Sequence, residues 1–460
     1  MIVNGWYLSF HLEVFTLHRM IKLLLTLALA ACLLLGAMAL AEDGGYVELP
    51  TAGLTATTKI SVTIPGENPA QDGVNPLTGE TWYGRYTPII ANIDMDPDAW
   101  PFFGSSAADI IYELPLHAEG HSRGAFIFLS EFPTRVGPIR SARVPMASVR
   151  EMWDAAYVFH GRQNGSRGTE TAVDVDRWVM QFHPDAFKGS KTEDGGRFYF
   201  PFVDGYADSY KLFSRVTGDK SHVSPHNSVA DLTLVQALFT AESTKHPFQF
   251  TDDGLDHGTD VTAITINRRP GTKKDTFTST YIYNPYTQLY DYYRNGELDY
   301  DANNNMSPAF ANVIFVRTNV SWYNNNAARP VVQLYGQGVA EIFQNGKYIR
   351  GTWVRSNSST SADENASQSC RMVILDDNGE ELEMMVGKTY IQVVNNDAAV
   401  LVSTSDEIAG GIVRSTPKPT ATPGPTREPR ATRTPKTDSA ATPAPAEAQE
   451  EVDEEFTFGG

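Results

Sequence analysis

Between Ala108 and Arg143 two apolar runs, Ile110–Leu116 and Ala125–Phe132, stand close together, and Gly137-Pro138 then delivers Arg140, Ser141 and Arg143 just ahead of Pro145. Short apolar runs bounded by turn residues predict strands, and a proline at the first position of the next periodic segment predicts a helix start. This stretch therefore has to build a sheet with a helix entering beside it. A turn that feeds a helix N-terminus offers free N–H groups and a partial positive charge, and arginines add planar forks that match carboxylate or phosphate. Arg140, Ser141 and Arg143, joined by Arg123 on the preceding strand, are the expected ligand-binding residues, with an anion as their ligand. The same arginines could instead pair with Glu113, Glu119 or Glu131 and only fasten the loop.

The rest of the first half extends the pattern. Thr87–Asp94 reads as a strand, Pro145–Trp153 as a helix with Val149 and Trp153 on one side, and Ala155–Phe159 as a buried strand ending at His160. A glycine-bearing loop at Gly161–Thr169 carries Arg162 and Arg167. Pro225-His226-Asn227-Ser228 is expected to open a helix with Leu232, Val235 and Leu238 on its apolar face. His160 and His226 would then stand near the arginines. From about Phe248 to Val402 the chain has short apolar or aromatic runs, with Asn295-Gly296, Asn345-Gly346 and Asn378-Gly379 where hairpins need positive φ. The expected fold class is α+β: an N-terminal α/β domain over residues 71–245, a mostly antiparallel β domain over 246–402, and a tail over 403–460. That tail holds eight prolines between Pro417 and Pro445 and ends acidic at Glu447–Glu455, which makes it a solvated, disordered spacer.

At the other end, His18, Arg19 and Lys22 precede an apolar run from Leu23 to Ala41 that closes on Ala39-Leu40-Ala41. This is the order of a secretory signal peptide cleaved after Ala41. The run is also long enough to stay as a membrane anchor, and Leu29-Ala30-Ala31-Cys32 resembles a lipidation box. All three outcomes place the protein outside the cytoplasmic membrane, touching the membrane only through residues 1–41, with residues 42–70 as linker. With Cys32 in that segment, Cys370 is the one thiol left, so no internal disulfide is expected.

Several motifs together resemble one known family. NPLTGE (Asn75–Glu80), ADIIYE (Ala108–Glu113), EGHSR (Glu119–Arg123), GPIRSAR (Gly137–Arg143), PHN (Pro225–Asn227) and the runs YDYYRNG, NVIFV, YGQG and NGKYIRGTW between Tyr281 and Val394 are similar to the YerB-like family. Its members are uncharacterised extracytoplasmic proteins of Gram-positive bacteria, often lipoproteins. The resemblance implies architecture and compartment rather than chemistry.

A formal charge of −18 leaves no domain-sized basic surface, so nucleic acid is not an expected partner. There is no HExxH metal motif, no GxSxG elbow and no phosphate-cradling loop, and no cofactor or metal is expected. Three functions remain. The first is a non-catalytic accessory protein that holds an anionic wall component or an envelope protein on its arginines, and the sequence favours it because no nucleophile or metal signature stands out. The second is a hydrolase of envelope polymer, with Glu113 and Glu119 as acid and base, His160 or His226 assisting and Arg140 and Arg143 clamping substrate. The third is a structural or adhesive exoprotein.

Overall fold

The computed structural model describes residues 46–404 except 53–67, 165–170, 185, 187–189, 192–196, 199–200, 209, 219–220, 240–247, 269–276 and 356–370. The expected signal or anchor, the tail beyond residue 404, Arg167 and Cys370 lie outside the described residues. Part of the expected linker lies inside them, because residues 47 and 48 form a short strand.

In chain order the principal strands are β1 (Val47–Glu48), β2 (Ile89–Asp94), β3 (Ile110–Pro115), β4 (Ser122–Phe128), β5 (Ala156–Phe159), β6 (Phe202–Asp204), β7 (Ala263–Asn267), β8 (Thr278–Asn284), β9 (Leu289–Arg294), β10 (Asn312–Thr318), β11 (Gly336–Gln344), β12 (Lys347–Arg355), β13 (Thr389–Asn395) and β14 (Val400–Ser403). Three α-helices accompany them among the described residues: α1 (Val144–Trp153), α2 (Val175–Phe182) and α3 (Leu232–Leu238). The chain is mostly strand with few helices. Two of the three Asn-Gly pairs work as expected: Asn345 and Gly346 take φ of 49° and 68° between β11 and β12, and Asn295 and Gly296 take 47° and 88° after β9, while in Asn378-Gly379 only the glycine, at 82°, has positive φ.

An eleven-stranded sheet runs from Thr259–Asp260 through β12, β11, β10, β13, β3, β4, β2 and β5 to β6, with Val373–Leu375 added on β12. A seven-stranded sheet runs β1, β14, β7, β8, β9 and on to Glu297–Leu298, with Ala309–Phe310 also on β9. Strands covered on both faces have no reason to alternate, which is why β2 and β3 read as near-continuous apolar runs. Ile89, Ala91, Ile93, Ile111, Phe126 and Tyr390 point one way, into a core shared with Ile264, Tyr281 and Tyr292 of the smaller sheet. Ile90, Ile110, Ile127, Ile314 and Ile391 point the other way, onto Met146, Val149 and Trp153 of α1 and Trp178 of α2.

The two halves expected to pack apart share the larger sheet. β3 of the first half pairs in parallel with β13 of the second, with Ile110 opposite Thr389 and Glu113 opposite Gln392. β3 is buried on both faces and needs a hydrogen-bonding partner on each edge, and β4 covers only one of them. The boundary near residue 245 divides the sequence and not the core.

Candidate functional site

β5 pairs with β2 only over Ile89–Ala91, which leaves the far end of β2 with an open edge. The Gly137–Arg140 segment takes that edge: the Asp94 N–H donates to the Pro138 carbonyl at 2.9 Å, and the Arg140 N–H donates to the Asn92 carbonyl at 2.9 Å. Gly137 is required there because a Cβ would lie 2.6 Å from the Ser228 carbonyl oxygen. Strand alternation then settles which side chains meet. Asn92 and Asp94 share the α1 face with Ile90, and the antiparallel register sets Arg123 of β4 opposite Asp94.

The Asp94 side chain is 4 % exposed and meets three partners: His226 Nδ1 at 2.8 Å, Arg140 Nε at 3.0 Å and Arg123 Nη2 at 3.9 Å. Burial pushes its carboxyl up, but the His226 bond and the charges of Arg123 and Arg140 outweigh that and hold it below the ordinary range. Conversely, the Asp94 bond raises the His226 imidazole against the pull of burial. Arg123 also donates from Nη1 to the Ser141 carbonyl at 2.8 Å, and Arg143 donates from Nη1 to the carbonyls of Ser141 and Ala142 at 3.1 and 3.0 Å.

Two guanidiniums, Arg140 and Arg123, thus share one carboxylate, and Arg143 stands beside them. No carboxylate within ion-pair reach of Arg143 is found among the described residues, and the Nε atoms of Arg123 and Arg143 are buried without a partner. The Arg140 Nε is close to Asp94 but misaligned for a hydrogen bond. Burial, then the repulsion of Arg123 and Arg140, presses the Arg143 guanidinium down to about 9, and burial lowers Arg123 as well. Arg143 stays charged at neutral pH. Arg143 also stands at the N-cap of α1 without a side-chain cap bond, and Pro145 fills the first turn, so the helix starts at the cluster. The cluster opens to solvent through Arg140, whose side chain is 31 % exposed.

The other expected site residues lie as follows. Ser141 belongs to the cluster through its carbonyl, while its hydroxyl donates to the His160 carbonyl at 3.1 Å and is not free for a ligand. His160 stands beside the loop with Nδ1 on the Ser228 hydroxyl at 2.8 Å, and burial followed by the charge of Arg215 lowers its pKa. His226 joins the site, but not from a helix entrance: Ser228–Ala230 is a strand paired with Phe213–Arg215, and α3 starts only after Asp231, whose carboxylate caps Thr233 and Leu234. Asp231 outcompetes Ser228 as the cap because its oxygen reaches two orphan N–H groups. The Gly161 loop holds no free cation in its described part, since Arg162 is paired with Asp176 and Asp204.

Glu113 and Glu119 are not brought together. β3 alternation sends Glu113 to the opposite face from Arg123, where it is fully buried and accepts from Ser122, from Arg268 and, at 2.5 Å, from the Tyr390 hydroxyl. Glu119 sits on the turn after β3, its side chain 60 % exposed and 3.9 Å from His117. Sequence reasoning missed Asp94, which organises the cluster, and Arg268, which closes around Glu113. The signal for Asp94 was a carboxylate ending an otherwise apolar strand; Arg268 had none, lying 155 residues from its partner. Asp96, Asp98 and His226 place ligand atoms within 4.8 Å of one another, yet Asp96 already binds His121 at 2.9 Å and Asp98 is exposed.

Residues 77–245 match the N-terminal domain, and residues 269–391 the C-terminal domain, of the family described as Protein of unknown function (DUF3048). The chain belongs to this YerB-like family. It is 24% identical over 342 residues to "Putative lipoprotein YerB" of Bacillus subtilis (strain 168), covering 72% of this chain and 89% of that protein. The crystal structure of the YerB protein from Bacillus subtilis aligns with a TM-score of 0.54 at 23% identity, over 71% of this chain and 99% of that one, and so shares the fold. The two matched regions contribute the larger sheet apart from Thr259–Asp260 and the end of β13, and the arginine cluster lies wholly within the N-terminal one.

Proposed function

We propose that this YerB-like protein is a non-catalytic accessory protein of the cell envelope that holds an anionic ligand on Arg140, Arg143 and Arg123, arranged by Asp94, the Ser141 carbonyl and His226. The carrying observation is the charge imbalance: three guanidiniums for one carboxylate, with two buried Nε donors unspent. A purely structural ion pair tends to match its charges, and buried donors tend to be satisfied. An anion at the α1 N-terminus would supply the missing acceptors, and wall-derived phosphates and carboxylates are the ligands of that charge outside a cell. The N-terminal run Leu23–Ala41 and the name of the Bacillus subtilis relative support an extracytoplasmic location, with residues 1–41 as signal or anchor and the tail as a spacer. Among the described residues no helix is long and apolar enough to cross a membrane.

Titrating the full-length protein with teichoic acid fragments and muropeptides tests this reading. Saturable binding that weakens with Arg140→Ala and almost as much with Arg140→Lys supports it, because lysine keeps the charge and loses the fork. Binding unaffected by either change rules the site out.

A further inference from the structure

We infer that a second ligand site, separate from the arginine cluster, lies in a cavity of about 430 Å³ at the turn of residues 71–84, and that it binds an organic ammonium group. The chain folds back on itself there: the Asn75 N–H donates to the Glu80 carbonyl at 2.8 Å, Val74 bridges Thr81, and the Trp82 N–H donates to the Gly73 carbonyl at 2.8 Å. The two arms of the turn therefore lie side by side, and residues of both line the cavity.

Three aromatic side chains line it, Trp82, Tyr83 and Tyr86. Tyr86 is buried, with its hydroxyl spent on the Trp153 carbonyl at 2.7 Å, whereas Tyr83 is 88 % exposed and Trp82 is half-buried. Two glycines hold the outer rings in place. A Cβ on Gly84 would lie 2.5 Å from the Trp82 indole, and a Cβ on Gly73, which also takes φ of 79°, would lie 3.1 Å from the Tyr83 ring. Each ring thus rests against backbone, and rings already fixed lose little freedom when a ligand packs on them.

Charge selects the ligand. Asp72 is the one charged side chain in the lining; it is exposed and makes no ion pair with the described residues, and Gln71 is the one other polar side chain beside the aromatic ones. Arg85, which follows in sequence, is drawn away to the C-terminal end of α3, where it donates to the Phe239 carbonyl at 3.0 Å. An anion would meet Asp72 with no cation in the lining to offset it, and a neutral sugar would find few groups for its hydroxyls. A cation gains from the Asp72 carboxylate and from the aromatic rings together. A choline headgroup and the ammonium of a lysine-type side chain share this chemistry.

Ligand-observed NMR on the full-length protein tests the inference by setting each ammonium against its uncharged isostere: choline against neohexyl alcohol, and Nα-acetyllysinamide against Nα-acetylnorleucinamide. At least one ammonium is expected to bind at least about fivefold more tightly than its isostere, and the tighter of the two identifies the source. Tyr83→Ser and Asp72→Asn, both at exposed positions, should each weaken that binding about threefold or more, and Asp72→Asn should flatten its salt dependence. Gly84→Ala should weaken it as well, by displacing the Trp82 ring while every contacting side chain is kept. No binding of either cation, equal binding of cation and isostere in both pairs, tighter binding of N-acetylglucosamine, or binding unchanged in both Tyr83→Ser and Asp72→Asn overturns the inference.

Discussion

Two clusters of buried charge sit back to back across β4, one at Ser122 and one at Arg123. At the first, Glu113 is wholly buried and its acceptors are filled by Ser122, Arg268 and Tyr390. At the second, Arg123, Arg140 and His226 pair with Asp94, Arg143 stands beside them without a carboxylate, and donors remain unspent. Burial is comparable, so the difference lies in the balance of charge. A matched cluster locks two parts of a chain together, here residues 113 and 268 from the two halves. An unmatched one holds back donors at a helix entrance, at a cost to stability that a ligand can relieve.

If this contrast is right, substitutions on the two faces should separate stability from binding. The largest effect is expected from Glu113→Ala, which leaves Arg268 buried and unpaired; denaturant unfolding should show a loss of about 3–5 kcal/mol with anion binding intact in the protein that still folds. Arg140→Ala should do the reverse. Calorimetric titration should show a loss of about 1.5–3 kcal/mol in affinity for an anionic envelope fragment, with little change in melting temperature. A large fall in melting temperature with unchanged binding would make the arginine cluster merely structural too.

A smaller effect should appear in the pH dependence. His226 has a folded pKa above its ordinary value, so its contribution is complete below about 6.5 and is lost as pH rises through the raised value. Asp94 is shifted down, and its contribution is present above 3.8 and is lost as pH falls through the lowered value. Unfolding free energy and anion affinity should both decline as pH rises above about 6.5 and through the raised His226 value. His226→Gln should flatten both slopes, and a slope that survives it would assign the titration elsewhere. Glu119→Gln should change stability by less than about 0.5 kcal/mol, since the side chain is exposed on a turn. Loss of a catalytic activity in that variant would revive the hydrolase reading.

Local chemistry determined a good deal of this protein. Apolar runs with turn residues between them place β2, β3, β8, β9 and β10 within two residues and β4 within four, Asn-Gly pairs mark hairpins, and Pro145 marks the start of α1 to within one residue. Those signals act over a few residues, so sequence alone carries them. The arginines beside the Gly137-Pro138 turn were legible for the same reason.

Tertiary structure decided which charges meet. Whether Glu113 lies with Arg140 or away from it depends on a strand period of two and on register, and a shift of one residue would have reversed the answer. The partners of Glu113, Arg268 and Tyr390, are 155 and 277 residues away, and nothing local encodes such pairs. The expected helix at Ser228 failed because the stretch Ser228–Ala230 could satisfy its backbone on Phe213–Arg215, a choice only the folded neighbours offer. The two halves likewise looked separable because composition and periodicity change between them. They share one sheet because the second edge of β3 could be satisfied only by β13, from the far end of the chain.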